Sequence, residues 1–252
     1  MEQLQYQLKS IRLSAMAQAL PVRLQEAKAN ELPHMEFLAT LVNDELEKRK
    51  ERLLNRRLKA ASFPILKTLD EFDFTFNPII NKRQVRELAS CRFMLNAENV
   101  LLLGPPGVGK THLAIAIGIA AIDKGYTVLY RNIFDLAEDL AEAQALGARK
   151  DFIKKLIKPN LLIVDEFGMR NLPGSAAEDL LEIFHRRYRR GANIIATNRP
   201  IEDWGKILGD NATTSAILDR FMDGMNLIKI INGRSYRVKS LNKILDKTTE
   251  ND

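Results

Sequence analysis

Hydrophobic positions recur at helical spacing through the first sixty residues. Leu4 and Leu8 share one face, and a second series runs from Phe37 to Leu58 after Pro33, a favourable first-turn residue. Because residues three and four apart lie on the same side of an α-helix, both series predict amphipathic helices. Basic residues lie between the leucines of the second series, so the outer surface of that helix is predicted to be cationic.

The pattern changes after residue 84, where short apolar runs alternate with helical stretches. Five runs are typical of strands buried in a parallel sheet, at 99–103, 127–131, 161–165, 193–197 and 227–231. Repeated strand and helix units predict a doubly wound α/β domain with helices on both faces. Phe72, Phe74 and Phe76 alternate with polar residues ahead of this domain, which predicts an extended segment at its entrance.

These patterns divide the chain into a helical domain at 1–66, an α/β domain at 67–245 and a polar tail at 246–252. The longest strongly apolar run, Leu113 to Ile122, is too short to span a bilayer, and the first residues lack the apolar stretch of a signal peptide. We therefore expect a cytoplasmic protein without membrane contact. Cys91 is the only cysteine, which excludes an intramolecular disulfide and argues against a cysteine-based zinc site.

The net charge of +6 is concentrated in one stretch, since Lys48 to Lys59 holds seven basic residues and one acid, Glu51. Two further basic stretches follow, and without a base-reading motif their contact with DNA would be phosphate neutralisation of low sequence specificity. A solvated helix face is the alternative for each stretch. The main candidates are Lys48, Arg49, Lys50, Arg52, Arg56, Arg57, Lys59, Arg149, Lys150 and Lys154. The others are Lys155, Arg186, Arg187, Arg189 and Arg190.

A phosphate-binding pattern, GxxxxGK[ST], lies between a predicted strand and a predicted helix. It reads Gly104, Pro105, Pro106, Gly107, Val108, Gly109, Lys110, Thr111. Such a loop wraps its backbone around phosphate oxygens, and the following helix N-terminus adds partial positive charge. Lys110 would contact the β and γ phosphates of ATP and Thr111 would coordinate Mg²⁺, while the next residue, His112, joins the nucleotide-binding candidates. A glycine-rich turn that matches by chance is the alternative.

Two acids end the predicted strand at 161–165. Asp165 stands at its carboxyl end, where ligands gather in open α/β sheets, and Glu166 follows. Asp165 would hold Mg²⁺, and Glu166 would accept a proton from, or orient, the water that attacks the γ phosphate. Two solvated acids at the start of a loop are the alternative.

Polar residues follow two other strands. The Asn198 amide could hydrogen-bond both the attacking water and the γ phosphate, although asparagine also suits a turn before Pro200. Asn132 could hold Glu166 inactive until DNA or a partner arrives, and helix capping explains Asn132 equally well.

Arg220 follows the Asn198 strand on a predicted helix. In oligomeric ATPases an arginine of one subunit reaches the γ phosphate bound by its neighbour, and the planar, permanent charge of arginine suits that role. A surface ion pair with Asp219 or Asp223 is the competing interpretation.

These motifs occur in an order that resembles the IstB-type transposition helper ATPases, which are relatives of the DnaC and DnaI helicase loaders. The resemblance rests on the phosphate-binding loop, Asp165-Glu166, residues 196–200 and residues 218–220, and it extends to Leu20-Pro21 and the basic segment ending at 62–64. It implies an AAA+ domain with a five-stranded parallel sheet in the order 5-1-4-3-2. It also implies that Arg220 is an arginine finger.

The same resemblance implies a function on DNA. Similar proteins form ATP-dependent homo-oligomers on duplex DNA, with active sites between subunits, and engage a transposase. Too few residues follow the last predicted strand for the multi-helix lid of the general AAA+ pattern. Because of this departure, the assignment of the second sensor residue stays open between Arg234 and Arg237. A helicase loader acting on single-stranded DNA and a nucleotide-gated DNA scaffold without turnover are the alternative functions.

Overall fold

The computed structural model describes residues 1–169, 172, 174–208 and 212–238. The chain divides into two compact units, residues 1–56 and 57–252. This division falls inside a long helix and ahead of the boundary predicted at residue 66, which stays a prediction. Residues 239–252, which contain the predicted polar tail at 246–252 and the predicted end of the α/β domain at 245, lie outside the described residues.

The first unit contains helices α1 (Glu2–Ser10), α2 (Ser14–Ala29) and most of α3 (His34–Ala61). Its small core is formed by Met16, Leu20 and Leu41. A buried acid joins two of the helices, because Glu45 on α3 accepts hydrogen bonds from the first amides of α2, at 2.8 and 3.0 Å. Burial raises the pKa of Glu45, but these amides and the Arg49 guanidinium outweigh burial and hold it below its usual value.

The second unit is an α/β domain, and the five strands predicted from the sequence are present. Its helices are α4 (Lys82–Ala89), α5 (Lys110–Asp123), α6 (Ile133–Ala145), α7 (Arg149–Ile157), α8 (Gly174–Arg187), α9 (Trp204–Leu208) and α10 (Ala212–Met222). Its strands are β1 (Val100–Leu103), β2 (Val128–Asn132), β3 (Leu161–Phe167), β4 (Ala192–Thr197) and β5 (Asn226–Lys229). Up to residue 238, no multi-helix lid follows β5.

All five strands are parallel and lie in the order β2-β3-β4-β1-β5, which confirms the predicted order read from the other edge. The register pairs Asn132 with Asp165 and Leu103 with Thr197. The carboxyl ends of β1, β3 and β4 therefore meet at one edge of the sheet, where open α/β sheets bind ligands.

Apolar side chains fill the space between the sheet and its helices. Leu101, Val164 and Ile195 of the central strands are fully buried, and Trp204 of α9 packs tilted against Phe167 with ring centroids 4.4 Å apart. These residues belong to one continuous hydrophobic cluster. The close packing of this cluster fixes the positions of the carboxyl ends of the strands.

Arg187 lies in this interior, which corrects its inclusion in a basic DNA-binding surface. Its side chain is fully buried and donates hydrogen bonds to Asn193 Oδ1 at 2.6 Å and to several backbone carbonyls, including that of Pro159 at 2.8 Å. Burial lowers the pKa of Arg187 to about 9. Because the guanidinium spans α7, α8 and β4 from within, it stabilises the fold and has no route to a phosphate backbone.

Candidate nucleotide site

The phosphate-binding loop joins β1 to α5, as predicted. Gly107 and Gly109 have φ angles of +80° and +105°, which side chains other than glycine rarely adopt. A Cβ at Gly107 would lie 2.2 Å from Ser235 Oγ, and one at Gly109 would lie 2.8 Å from the Phe72 ring. The glycines therefore allow both the curvature of the loop and the close approach of two distant segments of the chain.

A cavity of about 480 Å³ opens beside this loop. Residues predicted for several separate roles line it, since Lys110, Thr111 and His112 meet there with Asp165, Glu166, Asn198 and Arg237. The sequence pattern placed these residues at the ends of different strands, and the sheet order brings those ends together. One cavity thus contains a phosphate-binding loop, two carboxylates, an amide and a guanidinium.

Lys110 lines the cavity, and its ammonium is hydrogen-bonded to the phosphate-binding loop itself. Its Nζ donates to the backbone oxygens of Gly104 and Pro105, each at 2.8 Å. Burial lowers the pKa of Lys110, the charges of Asp165 and Glu166 oppose that shift, and Arg237 adds to it. An anion in the cavity would stabilise the protonated ammonium, so this lysine is suited to a phosphate ligand.

Asp165 is buried and hydrogen-bonded at both carboxylate oxygens. Its Oδ1 accepts the Glu166 amide at 2.8 Å, and its Oδ2 accepts the Tyr130 hydroxyl at 2.9 Å. Burial of Tyr130, reinforced by the charge of Asp165, raises the pKa of this hydroxyl, which keeps it a neutral donor. Each carboxylate oxygen retains acceptor capacity toward a further ligand.

Magnesium fits the donors present. Thr111 and Asp165 offer one hydroxyl and one carboxylate to the same cavity. The described residues contain no cluster of three or more His, Cys, Asp or Glu side chains that could form a metal cage. A small number of protein oxygens completed by phosphate and water is the usual arrangement for Mg²⁺ bound with a nucleotide.

Glu166 has an unusual backbone and a defined side-chain partner. Its φ of +57° lies in the left-handed region, next to an irregularity in the pairing of β3 with β4 between Val164 and Phe167. The Asn132 amide nitrogen donates to Glu166 Oε2, and Asn132 Oδ1 accepts the Phe134 amide at 2.8 Å. One end of the Asn132 amide thus caps α6, as the capping interpretation requires, and the other end contacts Glu166, while an inhibitory role of that contact stays a prediction.

Asn198 directly follows β4 and lines the cavity. Its Nδ2 donates to Met169 Sδ at 3.3 Å, and its buried Oδ1 has no hydrogen-bond partner among the described residues. The preceding residue, Thr197, accepts the Gly104 amide through its backbone oxygen at 3.1 Å. The unsatisfied acceptor beside the loop is suited to a water or another donor within the cavity.

A family model described as IstB-like ATP binding protein matches residues 6–244. The chain belongs to this IstB-like family. An ATP-binding protein of insertion sequence IS21 from Pseudomonas aeruginosa is 37% identical over 251 residues, which are 99% of this chain and 94% of that protein. A corresponding protein of insertion sequence IS5376 from Geobacillus stearothermophilus is 35% identical over 229 residues, 91% of each chain. The resemblance inferred from the motifs is confirmed.

Solved structures identify the fold of the IstB-like chain as AAA+. The DnaC helicase loader has a TM-score of 0.51 and 23% identity, and the match covers 59% of this chain and 86% of that one. The DnaA protein of Aquifex aeolicus, bound to AMPPCP, has a TM-score of 0.55 and 22% identity, with coverage of 74% and 56%. At these identities the similarity concerns the fold alone.

Two segments that the motif analysis did not connect to the nucleotide site also line it in this IstB-like chain. Phe72 comes from the segment ahead of the α/β domain, and Tyr236 comes from the residues after β5. The prediction of an extended segment at residues 72–76 is wrong, because Asp73 Oδ1 accepts the Thr75 and Phe76 amides and the chain turns there. Tyr236 donates its backbone amide to Gly107 oxygen at 2.9 Å and packs edge-on against Phe72. The alternation of phenylalanines was the available signal, but nothing in the sequence relates it to a segment some 160 residues later.

The two candidates for the second sensor have different surroundings. Arg237 lines the cavity, and its positive charge contributes to lowering the pKa of Lys110 after the larger effect of burial. Arg234 lies over the Phe76 ring, 5.8 Å from its centroid, and its backbone nitrogen donates to Asn77 Oδ1 at 2.7 Å. Arg237 is therefore the better candidate within its own subunit.

Arg220 lies on α10 and does not line the nucleotide cavity formed by its own chain. It is exposed, and its guanidinium contacts His185 Nδ1 at 2.9 Å. Asp223 instead accepts the Tyr188 hydroxyl at 2.8 Å and pairs with Arg189 at 3.4 Å. Within the described part of the chain, Arg220 forms no ion pair with Asp219 or Asp223, so the competing interpretation finds no support there.

The basic stretches differ in how many charges have acidic partners. On α3, Lys48, Arg49 and Lys50 pair with acids on the same helix at 2.6 to 2.8 Å. Arg52 hydrogen-bonds the neutral Ser14 hydroxyl. Among the described residues, none of Arg52, Arg56 and Lys59 has an ion pair.

The later stretches are more fully paired. Arg149 bonds to Asp179 and Glu182, Lys154 pairs with Asp151 at 2.8 Å, and Arg186 pairs with Glu182 at 2.6 Å. Lys150 is exposed. The end of α3 thus keeps the larger local excess of positive charge.

No helix within the described ranges has both the length and the apolar character needed to cross a membrane.

Proposed function

We propose that this IstB-like chain is a Mg²⁺-dependent ATPase that assembles as a homo-oligomer on duplex DNA and recruits or stimulates a transposase. The observation that carries the proposal is the single cavity in which the phosphate-binding loop meets Asp165, Glu166 and Asn198. A scaffold that binds nucleotide without turnover would require neither a candidate base nor a polar amide beside the phosphates.

In this proposal the loop amides and Lys110 hold the phosphates, while Thr111 and Asp165 hold Mg²⁺. Bound Mg²⁺ neutralises charge that develops on the phosphates. His112 and Tyr236 also line the cavity, together with Phe72. The Phe72 ring contacts each of the other two edge-on, with centroids 5.0 and 5.9 Å apart, which gives part of the cavity an apolar wall for the nucleotide.

Glu166 orients the attacking water and accepts its proton, and Asn198 contacts the same water and the γ phosphate. The Asn132 contact holds the Glu166 side chain away from full engagement, so that a shift of β2 or α6 on DNA or partner binding would release it. Arg237 would add positive charge from the same subunit, and Arg220 would add it from the neighbour.

The proposed partners are supported by the insertion sequences to which the relatives belong. The relatives quoted above are ATP-binding proteins of insertion sequences, and movement of such an element requires a transposase. Their matches span 91% or more of this chain and so include its N-terminal helices, whereas the DnaC match covers 59%. Another solved structure with the same fold is DnaA bound to single-stranded DNA. DnaC is a helicase loader, and helicase loading is therefore the second candidate function.

Lys110→Ala is expected to lower the affinity for ATP about 10- to 150-fold, because a charged hydrogen bond to phosphate contributes about 1.5–3 kcal/mol. Equilibrium retention of labelled ATP with Mg²⁺ present measures the effect. Lys206→Ala is the matched control, since its ammonium pairs with Asp203 at 2.8 Å outside the cavity. Equal retention by the Lys110 variant and the wild type would contradict the proposed nucleotide site.

Binding to a random-sequence duplex is expected to weaken steeply with salt, and replacing Arg52, Arg56 and Lys59 by Gln should flatten that dependence. The slope of log affinity against log salt should fall by about 0.9 for each phosphate contact removed. Fluorescence anisotropy over a salt series measures it. The comparison variant replaces Lys150 and Lys154, the latter already paired with Asp151, and should change the slope less. A salt-independent affinity would exclude phosphate neutralisation by this surface.

A further inference from the structure

A buried tyrosine on the neighbouring strand contacts the carboxylate assigned to magnesium. Tyr130 lies on β2 and is 7% exposed. The register pairs it with Ile163, so that Asp165 is its diagonal neighbour on the same face of the sheet. An aromatic side chain is long enough to bridge that diagonal, and the Tyr130 hydroxyl donates to Asp165 Oδ2 at 2.9 Å.

This hydroxyl and one backbone amide orient the carboxylate. The amide is that of Glu166, which would remain with any side chain at that position. Among the described residues, the structure contains no other side chain that donates a hydrogen bond to Asp165. Tyr130 is therefore the side chain that fixes the rotation of the Asp165 carboxylate.

Tyr130 is itself packed against a second aromatic ring. The Phe63 ring contacts it edge-on, with centroids 6.2 Å apart. Phe63 in turn packs where Gly118 of α5 leaves room, since a Cβ there would lie 2.9 Å from the Phe63 ring. A tyrosine confined in this way loses little further freedom by holding the carboxylate.

We propose that Tyr130 is a positioning residue for magnesium, which sets the affinity of the site for Mg²⁺ by orienting Asp165. The inference rests on the proposed function, in which Asp165 faces the metal that accompanies ATP. Residues that hydrogen-bond a metal ligand typically change metal affinity by about 10- to 100-fold when replaced.

Tyr130→Phe in the full-length chain tests this, because it removes the hydroxyl and keeps the ring. ATP hydrolysis is measured over a MgCl₂ series, and labelled ATP binding is measured in EDTA and in excess MgCl₂. We expect the half-maximal Mg²⁺ concentration to rise by about tenfold or more. The rate at saturating MgCl₂ and the binding in EDTA should stay within about twofold of the wild type, since the phosphate contacts are intact.

Tyr126→Phe is the control, because it removes a tyrosine hydroxyl outside the cavity. An unchanged Mg²⁺ series in Tyr130→Phe would overturn the proposal. So would an equal loss of ATP binding in EDTA and in MgCl₂, which would indicate a general structural defect. Failure of the wild type to bind or hydrolyse ATP would instead refute the proposed function, so that the two failures are distinguishable.

Discussion

Glu166→Gln is expected to slow ATP hydrolysis by about 10²- to 10⁴-fold while leaving ATP binding near that of the wild type. The substitution keeps the size of the side chain and replaces a proton acceptor by a neutral amide. The side-chain oxygen of the new glutamine can still accept the hydrogen bond from Asn132, so the local structure should persist. Single-turnover hydrolysis and equilibrium ATP binding, measured on the same preparation, separate the two effects.

The control for this variant is Glu138→Gln, an exposed acid on α6 outside the cavity, which should leave hydrolysis unchanged. A Glu166 variant that hydrolyses ATP at the wild-type rate would assign the base elsewhere. A variant that also lost ATP binding would indicate that Glu166 contributes to binding ATP and not only to its hydrolysis. If the protein is a scaffold without turnover, the wild type and Glu166→Gln should show no measurable difference in ATP hydrolysis.

Much of the α/β domain could be predicted because its determinants are local. A buried strand is apolar along its whole length, a phosphate-binding loop requires glycine at positive φ, and both features are visible within ten residues. The strand order was not visible in that way and came from the resemblance. Once the order is known, parallel strands with their carboxyl ends on one edge bring Lys110, Asp165 and Asn198 together without further assumption.

The parts of the site that the sequence did not reveal depend on contacts between distant segments. Tyr130 reads as an ordinary strand residue, and its hydroxyl acquires a role only because β2 pairs with β3 in the observed register. Phe72 and Tyr236 meet at the phosphate-binding loop although more than 160 residues separate them. No local pattern encodes such a meeting, since the side chains involved are equally suited to a hydrophobic core.

The error at Arg187 has the same origin. Four arginines between 186 and 190 suggest a cationic surface, because arginine is rarely fully buried. In the fold, α8 ends with Arg187 turned inward, where carbonyl oxygens from the segment after α7 satisfy its donors. A charge run on a helix therefore predicts a surface only after the buried face of that helix is known.

Arg220→Ala is expected to reduce ATP hydrolysis by about 10³- to 10⁵-fold at protein concentrations that support assembly, with little change in ATP affinity. The guanidinium lies outside the cavity of its own chain, so its effect must come from a neighbouring subunit. Arg220→Lys should recover only a small part of the rate, because lysine lacks the planar fork. Arg92→Ala removes an exposed arginine paired with Glu87 and is the control.

Mixing two inactive variants tests the shared site directly. In an equimolar mixture of Glu166→Gln and Arg220→Ala, about one interface in four combines an intact Glu166 with an intact Arg220 from the next subunit, so about a quarter of the wild-type rate should return. If Arg220 acted within its own chain, every subunit of the mixture would lack one essential group and no activity would return. The recovered fraction therefore distinguishes a finger supplied by the neighbour from one supplied within the subunit, independently of the size of the oligomer.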